Sequence, residues 1–170
     1  MSFNRPPLRV LEIHPGPVAL VSGLVGPSIC AVESQPQSIR RLQRDGVDVT
    51  TGRWPDQRPD GRFDLVVAAG LLSSFSEHEI RETLAQELAA LLAPEGQVLA
   101  LEQGHRQGGR AIVALRAGLL RASVLPIAPC PHQLQCPLSE RRRKGCSVPT
   151  SDSVDELDIG FDQRVDELSF

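Results

Sequence analysis

The chain has no hydrophobic run approaching the roughly 18 to 20 residues needed to cross a bilayer, and its longest apolar stretches are broken by glycine, glutamate or glutamine. A membrane-spanning role is not expected. It also lacks a surplus of either charge. Eighteen lysines and arginines stand against 21 acids, a formal net charge of −3, so any contact with nucleic acid must come from a local patch. The opening MSFNRPPLRV has neither an apolar signal core nor the Arg/Ser-rich character of an organelle transit peptide, which favours a cytosolic location. Cysteine is scarce, four in 170 residues. In a reducing compartment such thiols more often ligate or lie buried than pair in structural disulfides. Neither a Cys-x-x-Cys pair nor a G-x-G-x-x-G turn occurs.

What is present suits one hydrophobic core: 41% hydrophobic and 23% charged residues over 170 positions. Short apolar runs alternate with helical patterns. Leu8 to Ile13, Ser28 to Glu33, Val47 to Thr51, Phe63 to Ala69 and Gln97 to Glu102 read as strands, and Ser123 to Ile127 as a sixth. Helices are expected at Val18 to Val25, Gln37 to Arg44 and Gly108 to Arg121. A further helix, capped by Ser76 with Glu77 and Glu79 in its first turn, is expected to run to about Leu92. Strands alternating with helices predict a doubly wound, mostly parallel α/β sheet over residues 1–128. Residues 129–150 form a cysteine-rich loop. Residues 151–170, with seven acids and one arginine, read as a disordered acidic tail.

In such folds the ligand lies at the carboxyl ends of the strands where strand order reverses, so the turn Glu12 to Val18 is the first place to look. Glycine is wanted there for close backbone approach, and Gly16 is the one glycine in the stretch. Glu33 ends the second strand, where a carboxylate can accept hydrogen bonds from two ribose hydroxyls. Glu12, Gly16 and Glu33 are the expected cofactor residues. His14 reads as a packing histidine, and Asp64 as an acid that serves strand geometry. The loop Gly70 to Ser74 carries no obvious nucleophile, but methyl transfer to a good nucleophile needs mainly positioning.

Cys130, Cys136 and Cys146 place three thiols within seventeen residues on a proline-stiffened loop. Thiolates favour zinc or an iron-sulfur cluster, and the absence of paired knuckles favours the cluster over zinc. Free cysteines are the alternative. The adjoining basic run Arg141 to Lys144 suits phosphate contacts or a solvated turn.

The segments APCPH (128–132), CPL (136–138) and Cys146 resemble the metal-binding signature of the mitochondrial small-ribosomal-subunit methyltransferase-like family, which also has bacterial members. FDLVVAAGLL (63–72) and LEQGHRQGG (101–109) are similar to that family's strand-four and strand-five loops. The resemblance covers roughly Leu8 to Cys146. It implies a class I, Rossmann-like S-adenosylmethionine-dependent methyltransferase domain that works on small ribosomal subunit assembly or translation. It also implies a four-iron cluster held by Cys130, Cys136 and Cys146. The family's fourth cysteine has no counterpart after Cys146, so His132, a partner protein or a vestigial site are the alternatives. His14 and Val18 stand where the family has glycines, the sequence opens almost directly on the first strand where family members carry a helical region before it, and truncation before a final hairpin is expected. The implied location is cytoplasmic in a bacterium and the mitochondrial matrix in a eukaryote. A non-catalytic RNA- or protein-binding scaffold is the second reading. A dinucleotide oxidoreductase is the third, disfavoured by the missing glycine motif.

Overall fold

The computed structural model describes residues 8–21 and 26–136. Its elements are β1 (Arg9–Ile13), β2 (Ser28–Glu33), α1 (Pro36–Arg44), β3 (Asp48–Thr51), β4 (Phe63–Ala69), a 3-10 turn (Leu72–Ser74), α2 (Glu77–Glu79), a π-helical turn (Ile80–Leu84), α3 (Ala85–Ala90), β5 (Leu92–Leu101) and α4 (Arg106–Arg121). The chain divides into two compact units, one comprising residues 1–71 with 87–101, the other 72–86 with 102–170.

The first unit holds a five-stranded sheet in the order β3-β2-β1-β4-β5, and all four strand pairs are parallel. Strand order reverses beside β1, which makes the fold a doubly wound, Rossmann-like α/β sheet. The reason is legible in composition. A parallel strand buried on both faces needs side chains that tolerate burial on both, and β1, β2 and β4 supply Val10, Leu11, Ile13, Ala31, Val32, Val66, Val67 and Ala68, each at most 2% exposed. Each fully buried valine, leucine or isoleucine side chain among them contributes about 1.5–3 kcal/mol. Leu42 of α1 and Val47 close over Ala31 on one side of β2. Asp64 Oδ2 accepts from the Arg9 amide at 2.7 Å and sets where β1 begins.

One expected strand is absent among the described residues, and the described part of one expected helix is not helical. Ser123–Ile127 is not a strand: Ser123 takes a left-handed φ of 62°, Leu125 and Ile127 are exposed, and Pro126 has no N–H to give a ladder. The sheet of the described residues therefore has five strands, with β5 at its edge. Residues 18–21 pass through a bend at 18 into a turn at 20–21 and are not helical. The expected helix continues into residues 22–25, and the basic run and acidic tail fall in 137–170, all outside the described residues.

In the second unit the Ser76 cap forms as expected, and Glu79 completes it as a capping box: Ser76 Oγ accepts from the Glu79 amide at 3.2 Å and the Glu79 carboxylate accepts from the Ser76 amide at 2.8 Å. The helix then loosens into the π-helical turn, for which the sequence carries no signal. Helix α4 packs on that turn, and its buried residues include Ala111, Ala114, Leu115 and Gly118. Gly118 permits the approach, because a Cβ there would lie 2.5 Å from Ala85 Cβ and 2.6 Å from the Arg81 carbonyl oxygen. Arg110–Glu77 and Arg121–Glu82 ion pairs line the exposed rim, where such pairs contribute little.

Candidate functional site

The carboxyl ends of β1, β2 and β3 meet in the first unit. The chain leaves β1 through His14, whose φ is 54° and whose amide donates to the Val32 carbonyl at 2.8 Å. Gly16 follows at φ 73°, with open space where a side chain would stand, so the demand for glycine there is one of backbone conformation. Glu33 closes β2 and is 3% exposed. Its Oε2 accepts from the Gly16 amide at 3.0 Å, and its Oε1 accepts from the Ser34 and Gln35 amides at 2.7 and 2.9 Å. Gly16 and Glu33 are thus brought together at the point of strand reversal, just ahead of the α1 N-terminus.

Glu12, the penultimate residue of β1, is 1% exposed. Its two oxygens accept from the Leu20 and Val21 amides at 2.9 and 2.7 Å. Burial pushes its carboxyl above the usual range, and the two amide bonds pull it partly back. Glu12 shapes the segment that follows the turn.

One further contact escapes a local reading of the sequence. His14 Nε2 accepts from the Trp54 amide at 3.2 Å, across forty residues. That bond requires an unprotonated Nε2, with the ring proton on Nδ1. Burial holds the imidazole below its ordinary pKa; Glu33 opposes this and Arg53 adds to it. Trp54 itself is 5% exposed, its indole Nε1 has no hydrogen-bond partner, and the Arg58 guanidinium stacks 5.1 Å from its ring. Its only sequence signal is that it is the chain's single tryptophan, three residues after β3.

In the second unit Glu102 Oε1 accepts from the Leu72 amide at 2.6 Å and fixes the start of the 3-10 turn. His105 Nδ1 accepts from the Gly108 amide at 2.9 Å and caps α4.

Cys130 and Cys136 are partly buried and not joined in a disulfide, whereas Cys146 lies outside the described residues. Burial raises the Cys130 thiol pKa first, then the nearby Cys136; Arg116 of α4 opposes both. Among the described residues no three Cys, His, Asp or Glu side chains gather into a metal site. Two soft donors within electrostatic reach of each other fit part of a thiolate site. His132, a candidate fourth ligand, turns Nδ1 toward Arg116 at 3.2 Å. Cys30 sits inside β2, opposite Leu11 on one side and Asp48 on the other.

No helix among the described residues is long and apolar enough to cross a membrane. Among solved structures, the N-methyltransferase NodS from Bradyrhizobium japonicum WM9 is similar at 22% identity, with 55% of this chain and 57% of that chain covered and a TM-score of 0.47. The amino pentose methyltransferase CalS10 from Micromonospora echinaspora is similar at 20% identity, covering 55% and 42%, with a TM-score of 0.47. The plantazolicin methyltransferase BpumL is similar at 14% identity, covering 61% and 42%, with a TM-score of 0.49. The chain thus spans about half the length of these proteins. No curated protein matches it. A family model described as mitochondrial small ribosomal subunit Rsm22 matches residues 25–167, a span that runs from before β2 to beyond Cys146. On that match the chain belongs to the mitochondrial small ribosomal subunit Rsm22 family.

Proposed function

We propose that this chain is a methyltransferase-like factor of the small ribosomal subunit that binds S-adenosylmethionine at the carboxyl ends of β1, β2 and β3. The observation that carries the reading is Glu33: a buried carboxylate that ends β2 beside the reversal of strand order and is bonded to the glycine of the first turn. A carboxylate offers about four lone-pair sites, and three accept backbone N–H groups here. One ribose hydroxyl finds an open acceptor. A second must compete with the Gly16 amide. Isothermal titration of the full chain with S-adenosylmethionine tests this: saturable heat supports it, and no heat at millimolar ligand removes it.

A second reading has its own support, a non-catalytic scaffold that docks on RNA or protein. The His14–Trp54 and Glu33–Gly16 bonds brace the turn with no ligand required. Methyl transfer from radiolabelled S-adenosylmethionine to small-subunit RNA or protein separates the two, because a scaffold transfers no label.

Cys130 and Cys136, with Cys146, are the residues proposed to hold an iron-sulfur cluster or, alternatively, zinc. The fourth ligand would be His132 or a group from a partner. Such a centre supplies a crosslink that stiffens a loop without regular secondary structure. Anaerobic purification with an absorption spectrum and metal analysis tests it: iron with sulfide, or stoichiometric zinc, supports a metal centre, and neither one removes it.

A further inference from the structure

The stretch between Cys130 and Cys136 has no helix or strand of its own, so its backbone carbonyls need donors from elsewhere. One side chain supplies two of these donors. Arg116, in the second half of α4, donates from Nη1 to the Leu134 carbonyl at 3.1 Å, and from Nη2 to the His132 carbonyl. Nη2 also faces His132 Nδ1 at 3.2 Å. Both carbonyls lie between the two cysteines, so a single rigid fork fixes the middle of the segment whose ends are the thiols. The Nε of the same guanidinium is buried and has no partner, which leaves one donor in reserve.

We propose that Arg116 is the positioning residue of the cysteine loop: it pins the carbonyls of His132 and Leu134 so that Cys130 and Cys136 are presented together to a thiolate-binding metal. This rests on the metal reading given above. Lysine cannot replace it fully, because an ammonium is a point donor and does not span two carbonyls as a planar fork does.

The full chain, purified anaerobically, is titrated with cobalt(II) alone, and the thiolate-to-cobalt charge-transfer absorbance is followed. Arg116→Met keeps an apolar stem of similar reach and is expected to weaken cobalt binding by about 10–100-fold, the usual effect of losing a residue that orients metal ligands. Arg116→Lys is expected to fall between it and the unaltered chain, and both variants to remain folded by far-ultraviolet circular dichroism. Equal affinities in all three overturn the proposal. If Arg116→Met does not fold, the comparison with Arg116→Lys carries the test. In metal-free protein, alkylation of Cys130 and Cys136 is followed by peptide mass. Faster modification of both in Arg116→Met supports the proposal, and unchanged rates overturn it whatever the metal result. An unaltered chain that binds neither cobalt nor iron removes the metal reading instead, and the alkylation rates then decide whether Arg116 organises the loop.

Discussion

Gly16 and Glu33, seventeen residues apart, are joined by a hydrogen bond from the Gly16 amide to Glu33 Oε2 at 3.0 Å. It ties the first turn of the fold to the end of β2. Glu33 has both oxygens engaged by backbone N–H groups before any ligand arrives, so it holds the turn and also stands where a nucleoside is expected.

Replacing Glu33 by alanine leaves three amides without their acceptor, two of them directly before α1. A buried donor stripped of its partner costs about 1–3 kcal/mol, and solvent entering the vacated space recovers part of it. Glu33→Ala is expected to be destabilised by about 2 kcal/mol on that scale, with S-adenosylmethionine heat abolished. Glu33→Asp, which keeps the charge but shortens the reach, is expected to retain the fold and lose affinity. Urea unfolding and titration calorimetry check both. Full affinity in Glu33→Ala removes the residue from the nucleoside site.

How much was legible beforehand follows from the range of each interaction. Strands β2 and β4 end where the apolar pattern puts them, because a parallel strand buried on both faces announces itself as a run. The Ser76 cap was legible because a cap acts within a single helical turn. Ser123–Ile127 misled because a short apolar stretch says nothing about whether a neighbouring strand is there to pair with it. The bond between His14 and Trp54, and the grip of Arg116 on the cysteine loop, join residues forty and at least sixteen positions apart, and no local pattern encodes either.

Gly118 offers a sharp packing test. With a Cβ at that position 2.5 Å from Ala85 Cβ, α4 and the π-helical turn must move apart or deform. Alanine is normally the better helix residue by about 1 kcal/mol, yet overpacking costs about 1–3 kcal/mol. Gly118→Ala is expected to lower the melting temperature. A rise would mean that the two helical segments are not held this close.

Glu12 carries a pH dependence of definite sign. Its carboxyl is raised by burial, so the folded chain binds a proton there more tightly than the unfolded one. Its contribution to stability is full below the ordinary value of 4.5 and declines as pH rises through the higher folded value. Glu12→Gln has no charge to form in that window. Urea unfolding measured at several pH values from 4.5 upward is therefore expected to show a steeper loss of stability with pH in the unaltered chain than in Glu12→Gln. Parallel profiles would show that the acid is ionised in the fold without penalty.

His14 behaves in the opposite direction, and Trp54 is its natural reporter. The imidazole is held below its ordinary value of 6.5, chiefly by burial. In the interval between the folded value and 6.5 the unfolded chain binds more protons than the folded one. The stability this group contributes is thus complete above 6.5 and is lost as pH falls through the lower folded value. Protonation also places a hydrogen on Nε2, which can then no longer accept from the Trp54 amide. With one tryptophan and no tyrosine in the chain, intrinsic fluorescence comes from Trp54 with little interference. A change in Trp54 emission is expected on acidification below 6.5, while the far-ultraviolet circular dichroism still shows folded protein. His14→Ala is expected to abolish the change and to start from the low-pH emission. An identical titration in His14→Ala would show that the clasp between these two residues does not exist in solution.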